Sequence, residues 1–200
     1  PVKPAPDEIQ KKIQEYLSKF GFTEDIKELP LITVITVVLN REKYLEQAIQ
    51  SVINQTYPNV EYIIIDGGST DGTLDIIRKY EDYIDYWVSE PDKGIYDAMN
   101  KGLKLAVGDY ISILNSDDYY DRQAIKRSIE SIFKNNCDYS FGNIKIIETQ
   151  SITKPIFPLV ANKIYQEMPY PHVTALIHKK IYKDVGLFDT NFKIAGDHDM

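Results

Sequence analysis

The alternation of apolar and polar segments along the chain predicts an α/β fold. Unbroken apolar runs rich in β-branched residues are typical of buried parallel strands, and they occupy residues 31–39, 60–65 and 110–114. Apolar residues at helical spacing predict helices at residues 44–53, 74–77, 95–106 and 122–133. Less regular patterns predict strands at residues 83–88, 139–147 and 173–178. Strands alternating with helices indicate a mostly parallel sheet flanked by helices.

The first thirty residues differ from the rest. They are polar and contain one amphipathic stretch, Glu8 to Phe20, with apolar residues on one helix face. We interpret residues 1–30 as a helical extension or linker and residues 31–200 as one domain. Because the chain begins Pro-Val-Lys and stops inside an acidic motif at Met200, we expect it to be processed or truncated at its C-terminus.

Composition narrows the possible partners and location. The net charge is −7, and no cluster of Lys and Arg is long enough to replace the counterions of a nucleic acid. The single cysteine, Cys137, fits a reducing compartment. No apolar run reaches the roughly 18 to 20 residues that span a bilayer. These features predict a cytoplasmic location, free or peripheral at the inner face of the membrane through segments outside residues 1–200.

Polar, turn-forming residues follow three of the predicted strands. They are Asn40, which can cap the next helix, the turn Asp66–Gly72, and Asn115–Asp118. Ligands of open α/β sheets bind outside the carboxyl ends of the strands, so these residues are expected to converge on one site. The glycine turn lacks the spacing of the dinucleotide fingerprint and the Gly-Lys-Ser/Thr ending of the P-loop. As a purely structural turn, it would use Gly67 and Gly68 for unusual backbone angles.

The acidic pair Asp117–Asp118 is the more informative signal. Two adjacent carboxylates at the end of a hydrophobic strand repel each other and lose hydration. Carboxylate oxygens with open positions suit Mg²⁺ or Mn²⁺, which in turn bind phosphate oxygens. The pair therefore predicts a divalent metal that screens an anionic nucleotide in an acidic protein.

Taken together, four segments resemble glycosyltransferase family 2. They are the run 32–40, "IIIDGGSTDGT" at 63–73, "SEPDKGIYDAMNKGLKLA" at 89–106 and "GDYISILNSDD" at 108–118. The resemblance covers residues 31–200. It implies a GT-A (Rossmann-like) catalytic domain, a nucleoside-diphosphate-sugar donor, a Mn²⁺ or Mg²⁺ ion, and inversion at the anomeric carbon.

The resemblance also assigns residues to the nucleotide. Backbone groups of Val37, Val38 and Leu39 would contact it, and Asn40 would close that loop. Asp66 matches the first acid of the family's usual Asp-Asp-Gly-Ser turn. The second acid, often the contact to the base, is Gly67 here. UDP-sugars are favoured as donors, and Gly67 predicts either weaker uridine selectivity than in relatives that carry Asp at this position or a different base altogether.

The family's D-x-D motif falls at Asn115-Ser116-Asp117, followed by Asp118. Its first acid is therefore Asn. Asp117 and Asp118 are left to share the ribose and metal roles, in an order that the sequence leaves open. Lys93 lies where a basic side chain could reach the diphosphate, although a solvated loop lysine is an equally good interpretation.

Catalysis is assigned to the end of the chain. Asp197 matches the family's base, which takes the proton from the acceptor hydroxyl, although Gly196 stands where the family usually has Glu. His172 and Tyr96, the latter in the loop leading to the metal strand, are weaker candidates for the acceptor side.

The acceptor is expected to be a saccharide or a lipid-linked molecule in surface polysaccharide or glycoconjugate synthesis. Two other functions remain open. A nucleotidyltransferase would show a glycine-rich basic loop after the first strand, where this chain has "VVLNREKY". A non-catalytic nucleotide-sugar-binding domain would explain the departures at Asn115 and Gly196.

Overall fold

The computed structural model describes residues 7, 11, 29–148, 151–156 and 172–192. Strands and helices alternate as the sequence predicts. The strands are β1 (Ile32–Val38), β2 (Val60–Asp66), β3 (Tyr86–Ser89), β4 (Tyr110–Asn115), β5 (Tyr139–Ser140), β6 (Ile144–Glu148), β7 (Ser151–Ile156) and β8 (Leu176–His178). The helices are α1 (Leu45–Ile53), α2 (Thr73–Lys79), α3 (Ile95–Leu105), α4 (Ala124–Asn135) and α5 (Lys179–Val185). The predicted helix at Glu8–Phe20 falls almost entirely outside the described residues.

Six of the strands form one sheet in the order β3-β2-β1-β4-β8-β5. The first four are parallel, and β8 pairs antiparallel with both β4 and β5. The chain runs outward from β1 through β2 to β3, and then returns to place β4 on the other side of β1. The strand order therefore reverses between β1 and β4. Strands β6 and β7 form a separate antiparallel pair.

Both faces of the central strands are buried, which explains their unbroken apolar runs. Every residue of β1 is buried. On one face, a core contains Ile32, Val34 and Ile64 together with side chains of α1, α2 and α4. On the other, Ile35 and Ile63 pack with side chains of α3. A sheet covered by helices on both faces confirms the predicted α/β class.

Some local predictions were wrong. Asn40 does not cap α1, which begins five residues later and has Tyr44 at its N-cap without a side-chain hydrogen bond. The strand predicted at residues 83–88 begins at Tyr86, after a 3₁₀ turn. The run at 139–147 is two strands, and the segment at 173–178 begins as a 3₁₀ turn before β8. Boundaries shift where short polar side chains bond to the backbone instead of continuing an element.

The carboxyl end of β2 is organised around the buried side chain of Asp66. Its Oδ2 accepts hydrogen bonds from the backbone N–H groups of Gly68 at 3.1 Å and Ser69 at 2.9 Å, and from the Ser89 hydroxyl at 2.6 Å. The Ser69 hydroxyl donates to Oδ1. A buried carboxylate without such partners would be costly. Here it ties the turn after β2 to the end of β3.

A second set of hydrogen bonds ties the loop after β1 to the same turn. The Asn40 N–H donates to the Ser69 hydroxyl oxygen at 2.8 Å, and the Asn40 side-chain oxygen accepts from the Thr70 N–H at 2.9 Å. Glu42 accepts from the Gly72 N–H at 2.6 Å. Asn40 has φ of 52°, in the left-handed region that Asn tolerates, and its side chain is bonded to this turn. The loops after β1 and β2 therefore form one hydrogen-bonded unit.

Gly67 and Gly68, two of the three glycines of the turn, serve different purposes. Gly68 has φ of +89°, a conformation that favours glycine, as the sequence predicts. Gly67 is absent from the residues with positive φ, so that part of the prediction was wrong. A Cβ atom at Gly67 would instead lie 2.5 Å from Oδ2 of Asp92. Glycine at this position permits the close approach of another side chain.

Asp66→Asn should destabilise the protein, because the new amide N–H₂ would face hydrogen-bond donors in a buried site. We expect a loss of about 2 kcal/mol in the free energy of unfolding. Urea denaturation followed by the fluorescence of Trp87, the single tryptophan, measures this loss. Asp75→Asn, at an exposed carboxylate of α2, is the matched control and should change stability by less than about 0.5 kcal/mol. Equal stability of the Asp66 variant and the wild type would contradict the structural role of Asp66.

Candidate functional site

The carboxyl ends of β1, β2 and β4 meet at one edge of the sheet. Val38 of β1 is paired with Asp66 of β2, and Val37 with Asn115 of β4. The predicted convergence of the three polar strand ends is therefore observed. The strand order reverses between β1 and β4 at this edge, and α/β sheets bind ligands in the crevice that forms at such a reversal.

The β4 end carries the acidic motif. The Asp118 N–H donates to the Asn115 carbonyl at 3.1 Å, so residues 115–118 form a tight turn. Ser116 is buried, whereas the side chain of Asp117 is 52% exposed. The turn therefore presents Asp117 to the crevice and keeps Asp118 more enclosed.

Asp118 is held in an unfavourable electrostatic position. Burial, and secondly the neighbouring Asp117 carboxylate, raise the pKa of Asp118 above its ordinary value. Hydrogen bonding from Asn115 and the proximity of His172 act in the opposite direction without cancelling the shift. A cation bound between the two acids would offset both the lost hydration and the repulsion.

Asn115 links the acid pair to His172. Its side-chain N–H₂ donates towards Oδ2 of Asp118 and Nε2 of His172, each at 3.3 Å. In the part of the chain that the structure describes, its side-chain oxygen is buried and has no hydrogen-bond partner. The first position of the acidic motif therefore retains an oxygen donor although it is not an acid. His172, predicted for the acceptor side, lies next to the metal motif.

These oxygens fit a hard divalent cation. Two carboxylates and an unpaired amide oxygen are the donors that Mg²⁺ and Mn²⁺ accept. The described residues contain no group of three or more His, Cys, Asp or Glu side chains that could hold a metal by themselves. A metal at Asp117 and Asp118 would therefore complete its coordination with water and ligand oxygens, as Mg²⁺ does at phosphate sites.

Arg41, a basic residue beside the acid pair, was not among the residues that the sequence predicted for the site. Nε of Arg41, in the loop after β1, lies 3.9 Å from Oδ2 of Asp117, and both side chains are about half exposed. Lys93 lies in the loop after β3, where its backbone N–H donates to Asp97 at 3.1 Å. Strand β3 is separated from β4 by β2 and β1. Arg41 follows Asn40 directly in the sequence, so its place after β1 was a signal that could have identified it.

The residues assigned to the nucleotide occupy different environments. Val37 and Val38 are buried, and the Val38 carbonyl already accepts a hydrogen bond from the Gly67 N–H. Leu39 is 48% exposed at the edge. Asp66 is buried at the end of β2, and both of its carboxylate oxygens accept hydrogen bonds from the turn or from Ser89.

Tyr96 is in the first turn of α3, not in a loop as the sequence analysis placed it. It is only 6% exposed and packs against Phe188, with ring centroids 5.6 Å apart. This packing makes its ring part of the core. Asp197 and its neighbours Gly196 and Asp199 lie outside the described residues, so the assignment of the base stays a prediction.

Asp92 is the second residue that the sequence analysis overlooked. It follows β3, and its Oδ1 accepts the Gly94 N–H at 2.8 Å. Its other oxygen faces Gly67, as described above. The glycine at the family's second acidic position was the available signal, but the sequence does not indicate which distant side chain takes the space.

Among the helices of the described residues, none combines the length and the apolar character that crossing a bilayer requires.

Two solved structures have folds that are related to this one. S. aureus TarS (residues 1–349) in complex with UDP superimposes with a TM-score of 0.69 and 24% identity, over 84% of this chain and 53% of that one. The mannosyltransferase PcManGT of Pyrobaculum calidifontis, in complex with GDP-Man and Mn²⁺, has a TM-score of 0.64 and 18% identity, over 92% of this chain and 57% of that one. These likenesses show the GT-A fold.

Proteins of similar sequence are also named as glycosyltransferases. TuaG of Bacillus subtilis, whose name assigns it to teichuronic acid biosynthesis, is 37% identical over 121 residues, which are 59% of this chain and 48% of TuaG. An uncharacterized glycosyltransferase of Rickettsia typhi is 32% identical over 189 residues, covering 86% of this chain and 57% of the relative. The chain thus spans about half the length of these relatives. The sequence model described as "Glycosyl transferase family 2" matches residues 33–186. The chain belongs to glycosyltransferase family 2.

Proposed function

We propose that this chain is the catalytic part of an inverting, metal-dependent glycosyltransferase that moves a sugar from a nucleoside diphosphate to a hydroxyl group. The observation that carries the proposal is the end of β4. There two carboxylates and an unpaired amide oxygen lie at the reversal point of the sheet. A diphosphate with a Mn²⁺ or Mg²⁺ ion would satisfy all three.

The donor would be a nucleotide-sugar, with UDP favoured. Support comes from the related folds, since TarS was solved with UDP and with UDP-GlcNAc, and PcManGT with GDP-Man and Mn²⁺. The position of Arg41 adds to this support. Its guanidinium group, 3.9 Å from Asp117, can turn from that carboxylate to a phosphate oxygen, for which its planar set of donors is well suited.

In the proposed reaction, Asp197 takes the proton from the acceptor hydroxyl. The oxygen then bonds to the anomeric carbon from the face opposite the diphosphate, and the bond between that carbon and the phosphate oxygen breaks. The nucleoside diphosphate leaves with the bonding electron pair, and the sugar is inverted. A divalent ion, when bound, neutralises charge that develops on the diphosphate, so no protein acid is needed there.

The acceptor would be a saccharide or a lipid-linked molecule. TuaG carries a name that refers to a surface polymer, teichuronic acid. His172 lies beside Asn115 and is thus near the place where the sugar would follow the diphosphate. We propose it as an acceptor-side residue on that basis. A role in surface polysaccharide synthesis is part of the proposal.

Nucleotide binding should require a divalent ion and the acid pair. We expect UDP to bind in MnCl₂ and to lose at least about tenfold in affinity in a chelator, because the carboxylates would then repel the diphosphate. Asp117→Asn/Asp118→Asn should remove the difference between the two buffers. Isothermal titration calorimetry measures both affinities. The control is Asp121→Asn, at an exposed carboxylate beyond the turn, which should behave like the wild type. Equal affinity of the wild type in Mn²⁺ and in chelator would contradict the metal assignment.

Asp197→Asn should separate catalysis from donor binding. Removal of a positioned base typically lowers the rate by about 10² to 10⁴-fold, so kcat should fall by that order. The nucleotide Kd should change by less than about threefold, because the base faces the acceptor. Sugar transfer and nucleotide binding are both measured on the full chain, and Asp199→Asn should have the smaller effect on kcat. Normal turnover by the Asp197 variant would exclude Asp197 as the base. Donor binding without transfer by the wild type to any acceptor would favour the binding-only alternative.

A further inference from the structure

We propose that Asp92 reads the nucleobase of the donor and selects uracil. The inference rests on the proposed function, since it assumes that a nucleoside diphosphate binds at the carboxyl edge of the sheet. It replaces the expectation that glycine at position 67 weakens uridine selectivity. The acid comes from the loop after β3 instead of from the turn after β2.

The first observation is the space that Asp92 takes. A Cβ atom at Gly67 would lie 2.5 Å from Oδ2 and 3.1 Å from Cγ of Asp92. The carboxylate therefore occupies the position where a side chain of residue 67 would begin. Only glycine allows both the backbone of the turn and this carboxylate to be there.

The second observation is that a hydrogen bond fixes the carboxylate of Asp92 and leaves one of its oxygens able to accept another. Oδ1 of Asp92 accepts the Gly94 N–H at 2.8 Å, which fixes the side chain. Within the described residues, Oδ2 accepts no hydrogen bond. Its acidic neighbours are engaged, since Glu90 pairs with Lys101 at 2.9 Å and Asp97 accepts the Lys93 N–H. Asp66 is also fully engaged in its turn. Glu90 and Asp97 each use one oxygen in these contacts, as Asp92 does, but the free oxygen of Asp92 is the one that lies against Gly67.

The third observation is the distance along the edge. The diphosphate would bind at the end of β4, and Gly67 follows β2, two strands away across β1. Two strand spacings amount to about 10 Å. If the diphosphate lies at the end of β4, a ribose lying over the end of β1 would place the base beside Gly67 and Asp92. Asn40, after β1, lies between the two ends and is held by the turn.

The chemistry of the free oxygen favours uracil. Uracil presents a single N–H donor at N3, which matches one charged acceptor. Cytosine presents an acceptor at the same ring position and would be repelled. Guanine presents two adjacent donors that would be best met by both carboxylate oxygens, and Oδ1 is already occupied by Gly94. A hydrogen bond to a charged acceptor is stronger than one between neutral groups.

The test compares UDP and CDP, which differ in the base alone, by calorimetry in MnCl₂. We expect the wild type to prefer UDP by at least about tenfold. Asp92→Asn should lower this ratio about tenfold or more, because the amide oxygen can keep the Gly94 bond and turn its N–H₂ towards the base. Gly67→Ala should lower it similarly, because the new Cβ displaces the carboxylate. The double variant should show no further loss, since both changes remove one contact.

Two features make the result decisive. The ratio of two affinities in one sample does not depend on the fraction of folded protein. Asp97→Asn removes a carboxylate from the same segment and should leave the ratio unchanged. An unchanged ratio in Asp92→Asn, or an equal drop in Asp97→Asn, would overturn the assignment, and so would a wild-type preference for GDP. A wild type that binds no nucleoside diphosphate would instead contradict the proposed function itself.

Discussion

The hydrogen-bonded carboxylate of Asp66 is the interaction on which the rest of this edge depends. It is buried at the end of β2 and satisfied by donors from its own turn and from the end of β3. With the turn fixed, Ser69 and Thr70 can hold Asn40, and so set the loop after β1. The carboxylate thereby links three strand ends. Its loss would loosen the edge without touching a ligand.

On the other side of β1, the edge is built differently. The end of β4 places two acids together, and one of them, Asp118, is enclosed enough for burial to raise its pKa. Such an arrangement lowers the stability of the ligand-free protein and is typical of functional sites. The edge where the strand order reverses therefore has a fully hydrogen-bonded carboxylate at the end of β2 and two mutually repelling carboxylates at the end of β4.

Much of the fold could be predicted from the sequence. The strands β1, β2 and β4 are recognisable because both their faces are buried, so that apolar runs continue without interruption. The acidic pair could be placed at the sheet edge because it follows such a run directly. The order of the four motifs then identified the family.

The parts that sequence analysis missed depend on contacts between distant residues. Asn40 looked like a helix cap, but its side chain meets Thr70, thirty positions away. Asp66 was assigned to the nucleotide, and the sequence did not show that its carboxylate also accepts hydrogen bonds from the turn and from Ser89. Asp92 could be identified as a site residue only from its short distance to Gly67 in the folded protein. Local propensity does not contain these pairings, because a short polar side chain can serve several partners equally well.

The most direct measurement is a crystal structure of the protein with UDP and Mn²⁺. The account predicts that the diphosphate lies at Asp117 and Asp118, that the ribose crosses the end of β1, and that the uracil ring lies against Gly67 beside Asp92. It also predicts that Asp66 keeps its hydrogen bonds to the turn. A nucleotide bound away from the carboxyl ends of β1, β2 and β4, or a base held by Asp66, would contradict it.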